Sequence, residues 1–367
     1  MNLKRIGVYL ILVLLTFTIP VTGIKQGEFS NKELSIIVGP YPQYPTNNSI
    51  IISWETNVQT SANSVSFGIC PVCSEIVYDN SSKSFHEIEL DELLPSTKYY
   101  YKVNSDGIES NIYSFNTCFE KNESINFIAY GDSRGVWDNW LNAKRVANAI
   151  EKEDPHFVLH TGDLVHNGTI ESGWIDFFNV SNFFHNSTLY PALGNHERNG
   201  ESYFKYFNLP NNEYWYSFDY GPAHFVCLDS NFRNSLKISQ LLWLIKDLRQ
   251  NKKPFTIVFF HHPPYSSGDH GSVKYLRWIW GIFFEIFKVD IVFNGHDHSY
   301  ERGKVGSANY VVTAGGGAPL YDVGESWWTI YSEKTYHYCK ISVDQMELNF
   351  QAKKPDGTII DSFTIQK

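Results

Sequence analysis

The sequence predicts a β-sandwich over residues 33–118 followed by an α/β domain over residues 124–367. Three observations lead there. Before residue 118, short alternating apolar and polar runs recur between turn signals, with no convincing helical period. A polar link, residues 119–124, then marks a change of composition. After it, apolar strands alternate with amphipathic helices, the pattern of a sheet covered by helices. A chain of 367 residues is too long for one ordinary core, and 43% apolar with 19% charged residues marks it as globular.

In chain order, Lys4 and Arg5 precede an apolar run over 6–20 and then Val21, Thr22 and Gly23. This reads as a signal peptide over residues 1–23, with a retained anchor as the alternative. The run is short against the roughly 20 residues of a membrane span. No later stretch is apolar enough to span, since Glu285, Lys288 and Asp290 interrupt 278–293. The location expected is therefore secreted or at the extracellular surface. In the sandwich, 49–56, 98–103 and 111–117 are the clear strands. Trp54, then Leu94, Pro95, Thr97, Tyr99, Tyr101 and Val103, resemble the pattern of a fibronectin type III domain. In the second half, 126–132, 156–163, 187–197, 256–265 and 290–298 read as strands, and 140–152, 235–251 and 274–289 as helices. Residues 336–365 hold two alternating runs around Pro355, Asp356 and Gly357, a hairpin signal.

Net charge is −9, and loss of Lys4 and Arg5 with the leader makes it −11. A nucleic-acid backbone needs a basic face, so that partner class is excluded, while small phosphorylated substrates stay open because bound metal ions dominate local charge. Of the five cysteines, Cys70, Cys73 and Cys118 are expected to contain a disulfide, and Cys227 and Cys339 to be buried small apolar groups. Six N-x-S/T triplets begin at Asn47, Asn80, Asn122, Asn167, Asn179 and Asn186, potential glycan acceptors in an exported chain.

The residues with chemistry stand at the carboxyl ends of the predicted strands: Asp132 in YGDSR, Asp163 in TGDLV, Asn195 and His196 in GNHE, His261 in FFHH, and His296 and His298 in GHDH. In α/β sheets that edge is where ligands bind. One such Gly-Asp pair is ordinarily only a turn. Five strand ends delivering two carboxylates, an amide and three imidazoles form a donor set suited to Zn, Mn or Fe.

The order GDxR, GDxxx, GNHE, VxxH and GHxH resembles the calcineurin-like metallophosphoesterase superfamily. With the sandwich in front, the chain is most similar to purple acid phosphatases. The resemblance implies an α-β-β-α layered catalytic domain and a dinuclear centre of two divalent or trivalent metal ions, Fe, Zn or Mn. It implies Asp132 and His298 at the first metal, Asp163 bridging, and Asn195, His261 and His296 at the second. His196 would be a proton donor or phosphate ligand. Glu197 would hold His196 or a neighbouring backbone group. His270, nine residues after His261, matches a substrate-facing histidine of the family. Arg134 reads as a donor fork for a substrate phosphate or as a structural ion pair.

Two departures stand out. The family's tyrosine three residues after the bridging aspartate is replaced by His166, so no tyrosinate colour is expected. The histidine of the common Asp-x-His first motif is replaced by Arg134. His166 therefore reads as an imidazole ligand, with an outward His166 and a water in its place as the alternative. The expected activity is hydrolysis of phosphate monoesters by metal-activated water. Phosphodiester or nucleotide hydrolysis is the alternative on the same residues, and a non-catalytic cell-surface binding protein is the alternative of another class.

Overall fold

The computed structural model describes residues 33–120, 122–197 and 200–367, so the leader read at 1–23 lies outside the described residues. In the front half, strands Ile36–Gln43, Ile50–Thr60 and Lys83–Leu90 form one sheet. Glu75–Asp79, Asn63–Gly68, Lys98–Ser105 and Ile108–Glu109 form a second, with Tyr113–Asn116 also paired to Lys98–Ser105. The period-two pattern in the sequence is the burial pattern. Tyr99, Tyr101 and Val103 point inward and pack with Ile52, Trp54 and Phe115. The indole of Trp54 donates to Ser105 Oγ at 2.8 Å, which satisfies its one polar atom.

The second half is two sheets face to face with helices outside. One sheet runs Thr188–Pro191, Phe157–His160, Ile125–Tyr130, Tyr338–Val343, Glu347–Lys353, Ile359–Gln366. The other runs Tyr216–Tyr220, Ala223–Cys227, Phe255–Phe259, Ile291–Asn294, Ala308–Thr313, Tyr300–Val305, Thr329–Glu333. The strands that end at the predicted site residues pair in parallel, and so deliver their carboxyl ends to one edge. Alternation decides which side chains meet which layer. Phe127, Phe157 and Phe225 interlock between the sheets, with centroids 5.1–5.2 Å apart. Their neighbours Tyr130 and His160 point the other way, against Phe183 and Phe177 of the covering segments. On the far side, Val226, Val258 and Val292 meet Leu244 and Leu248 of the helix Ile238–Gln250, together with Trp280 and Phe284. This is the α-β-β-α order.

Leu34–Lys367 form one compact unit. Tyr41 donates to the Tyr206 carbonyl at 2.7 Å, and Lys205 reaches Glu55 at 2.7 Å, so the sandwich braces the segment that follows the Asn195 turn. No helix among the described residues is long and apolar enough to cross a membrane.

Three expectations are corrected. None of the five cysteines is paired. Cys118 lies with Sγ 3.4 Å from the Asp219 carbonyl, while Cys70 and Cys73 close a tight turn of their own. The helix expected over 274–289 is present but shorter, running continuously over 275–286, and it is not purely α. A π-turn at Arg277–Gly281 passes into the short helix Ile282–Ile286, turning Trp280 inward and leaving Trp278 80% exposed. The C-terminal region holds three strands rather than two runs. Its first turn is made by Asp344, whose carboxylate accepts from the amides of Met346 and Glu347 at 2.8 Å, with no glycine or proline to announce it.

His224 supplies a test of the packing. Its ring is clamped between Asp219 at 2.6 Å and Asp247 at 2.8 Å. Burial alone would lower its pKa, but the two carboxylates outweigh that and raise it to about 9. The folded value lies above the ordinary value of about 6.5, so the clamp's contribution is complete below that pH and is lost as pH rises through 9. Melting curves of the native chain and His224→Gln should differ by on the order of 3 kcal/mol at mildly acid pH and converge at alkaline pH. A gap that stays constant across that window would show that the charge is not what holds this region.

Candidate metal centre

Three of the strand ends lead into a residue whose backbone is forced off the common regions. Asp132, Asp163 and His296 all take positive φ, at 56°, 58° and 75°. Three non-glycine residues in this conformation at one edge is the kind of local strain that accumulates at functional sites. Glycine makes the crowding possible at two positions. A Cβ at Gly194 would collide with the Asp163 carboxylate, and one at Gly295 with that of Asp132.

Six of the sequence-selected residues come together. Asp132 and Asp163 are fully buried. The His296 amide donates to Asp132 Oδ2 at 2.9 Å, and the His196 amide donates to Asp163 Oδ1 at 3.0 Å. Their other oxygens, Asp132 Oδ1 and Asp163 Oδ2, have no hydrogen-bond partner. His298 Nε2 lies 3.4 Å from Asp132 Oδ1, and His261 Nε2 lies 3.4 Å from Asp163 Oδ1. His261 Nε2 is also 3.1 Å from Asn195 Oδ1 and 3.3 Å from His296 Nδ1.

The proton inventory shows what this arrangement lacks. A carbonyl oxygen only accepts, so the 2.9 Å bond from His261 Nδ1 to Thr161 and the 2.7 Å bond from His298 Nδ1 to Pro319 fix the protons on Nδ1. Both Nε2 atoms are then lone pairs. Burial first keeps the rings neutral, followed by the nearness of another imidazole at His261 and His296 and of Arg134 at His298: His261 falls well below the ordinary range, His298 to about 4 and His296 to about 2. Burial and then the charge of Asp163 push Asp132 upward, since two buried carboxylates repel. Lone pairs of nitrogen and oxygen thus converge with too few protons to join them, which is the donor set a metal cation satisfies. Asp132, Asp163 and His261 form one grouping able to hold an ion, and His261, His262 and His296 a second.

The remaining candidates lie around this cluster. Glu197, entirely buried, accepts from the amides of Asp163, Leu164 and Gly194 at 3.0, 2.8 and 2.7 Å, and so ties the second and third strand-end turns together. His196 donates from Nδ1 to the His166 carbonyl at 2.6 Å, which turns Nε2 toward Arg134. The exposed His270 stacks on His296 at 4.5 Å. His166 is exposed on the rim, with its ring 5.2 Å from that of His196 and 4.9 Å from Trp137, and it belongs to neither metal-competent grouping.

Some contributors carried no clear sequence signal. His262 joins a metal-competent grouping and bonds Ser230 Oγ at 2.9 Å; its place directly after His261 was its only mark. Tyr321 stacks on His298 at 4.2 Å from a loop far along the chain. Buried Asp297 holds the His270 amide at 2.7 Å, and the HDH spacing that carries His296 and His298 contains it.

Residues 125–300 match the calcineurin-like phosphoesterase family, and residues 40–117 match the purple acid phosphatase N-terminal domain; together these cover more than half of the chain. Among curated proteins, the chain is 27% identical to a phosphoenolpyruvate phosphatase of Allium cepa over 82% of its own length and 69% of that protein. It is 32% identical to purple acid phosphatase 21 of Arabidopsis thaliana over 61% of its own length and 54% of that protein. The chain thus spans only about half to two thirds of the length of these relatives. Among solved structures, a purple acid phosphatase from yellow lupin (Lupinus luteus) seeds superposes with a TM-score of 0.78 at 22% identity, covering 89% of this chain and 74% of that one.

Proposed function

Because this chain belongs to the calcineurin-like phosphoesterases, with a purple acid phosphatase-type domain in front, we propose that it hydrolyses phosphate monoesters at the Asp132–Asp163 cluster. The observation that carries the reading is the convergence of proton-free donor atoms from Asp132, Asp163, Asn195, His261, His296 and His298. In this reading Asp132 and His298 hold the first metal ion, Asp163 faces both, and Asn195, His261 and His296 hold the second. Fe, Zn and Mn all suit that set. Two cations there would acidify a water and neutralise phosphate charge.

The chain's own groups do the rest. Asp163 Oδ2 is left without a hydrogen-bond partner and available. Arg134, two residues past Asp132, supplies a planar fork for a phosphate oxygen pair. His196 is half-buried at the mouth, and its Nδ1 bond to the His166 carbonyl aims Nε2 inward, where a protonated ring would hand its proton to the departing alcohol. Replacing His196 by Ala should then cost about 10²-fold with alkyl phosphates and far less with p-nitrophenyl phosphate, whose leaving group needs no proton. Equal losses on both substrates would remove the acid role.

His166 stands where the tyrosine of purple enzymes stands, so the Fe(III)-loaded protein should lack a tyrosinate band in the visible spectrum. Exposed Asn47, Asn80, Asn122 and Asn179 are open to glycosylation, whereas the Asn186 amide oxygen is engaged by the Ser114 amide at 2.9 Å; with the basic-apolar leader these support an exported protein. The reading is tested by hydrolysis of p-nitrophenyl phosphate and bis-p-nitrophenyl phosphate after chelation and re-addition of Mn, Zn or Fe. Metal-dependent turnover of the monoester supports it. Preference for the diester moves the assignment to phosphodiesters, and no turnover together with no bound metal leaves a binding protein.

A further inference from the structure

Arg134 is buried, 6% exposed, and its guanidinium lies among His298, His196 and Asp163. Nη2 donates to His298 Nε2 at 2.9 Å, and Nη1 donates to His196 Nε2. Nε lies 3.6 Å from Asp163 Oδ2. The indole of Trp137 packs against the guanidinium, with its ring centroid 5.4 Å from the central carbon. The proton on His298 is committed to the Pro319 carbonyl, so His298 offers one lone pair, and Arg134 is using it. That is the lone pair required at the first metal position. Asp132 Oδ1, the other donor at that position, lies 3.4 Å from His298 Nε2 and has no hydrogen-bond partner. A guanidinium does not leave by losing its proton, because it stays charged at any ordinary pH. It leaves only by moving.

We propose that Arg134 is a resident cation that occupies the first metal position in the metal-free chain, competes with the metal for His298, and passes to the substrate phosphate once displaced. The proposal rests on the two-metal reading and deepens it. While the first metal is absent, the positive charge of Arg134 offsets two buried carboxylates that would otherwise repel. Of the donors at the second position, Asp163 lies 3.6 Å from the guanidinium, while Asn195, His261 and His296 take none of its hydrogen bonds, which go to His196 and His298. The second position should fill first. The first should fill weakly until an anion is present to receive the guanidinium. Phosphate and the first metal are then linked reciprocally: each raises the affinity of the other.

The test is calorimetric titration of Mn²⁺ into the chelator-stripped full chain, with and without inorganic phosphate, for the native chain and for Arg134→Met. The expected native result is a tight site and a weak site, with phosphate tightening the weak one. In Arg134→Met the weak site should tighten by about 10- to 100-fold, the worth of the charge-assisted bonds removed, and its phosphate dependence should shrink to the part owed to direct contact of phosphate with the metals. A native weak site indifferent to phosphate overturns the proposal without recourse to a variant. So does a folded Arg134→Met whose weak site is unchanged. Failure to bind Mn²⁺ at either site would instead bring down the two-metal reading itself, an outcome distinct from two sites of unaltered affinity.

Discussion

Replacing Asp163 by Asn is expected to lower turnover of phosphate monoesters by at least about 10³-fold and to release bound metal, while leaving the fold intact. The size follows from what one carboxylate does. Metal charge stabilisation is worth several kcal/mol, and each 1.4 kcal/mol is tenfold in rate. Asp163 Oδ1 faces His261 at 3.4 Å, and its unpartnered Oδ2 faces Arg134 at 3.6 Å, so this carboxylate is the group shared by both halves of the cluster. An amide keeps the size and loses the charge. Removing one of two repelling buried carboxylates should also leave the metal-free chain no less stable. Turnover, metal content and melting temperature, measured together, check the three parts. A variant with native turnover would dissociate the activity from this cluster.

Glu197→Ala is expected to produce the largest loss of stability among single changes near the site, about 4 kcal/mol. Its carboxylate is fully buried and is the acceptor for four backbone amides, from Asp163, Leu164, Val165 and Gly194. Each buried donor left without an acceptor costs about 1–3 kcal/mol, and water entering the cavity recovers part of that. The affected amides belong to the turn that holds Asp163 at φ 58°, so activity should fall along with stability. Glu197→Gln, which keeps a carbonyl oxygen but brings a donor among donors, should fall between the two. Urea unfolding reads the stability and p-nitrophenyl phosphate the activity. A Glu197→Ala variant with the native midpoint would mean that these turns are held by the strands alone.

Much of this was legible in the sequence because its parts are local. A strand that ends in Gly-Asp or Gly-His announces both the strand and the side chain mounted on it, and the five pieces come in an order that chance rarely assembles. The Tyr99, Tyr101 and Val103 alternation is likewise a local record of one buried face. The exceptions depend on partners far away. Arg134 bonds histidines 62 and 164 positions distant, and neither its own motif nor theirs records the meeting. Tyr338–Val343 lies between strands from opposite ends of the domain, antiparallel to Ile125–Tyr130, a pairing with no local signature. The π-turn at Arg277–Gly281 was hidden because Trp278, Ile279 and Trp280 are consecutive apolar residues, so the period names no single face there. The Asp344 turn was missed for want of glycine or proline, although an aspartate two residues before a free amide is itself a turn signal.

The measurement that bears most directly on the central claim is anomalous diffraction from crystals soaked in saturating Mn²⁺ or Zn²⁺ with inorganic phosphate. Two peaks are predicted, one bounded by Asp132, Asp163 and His298 and the other by Asp163, Asn195, His261 and His296, with Arg134 turned toward the phosphate. Crystals with no peak between those six side chains at saturating metal would contradict the account.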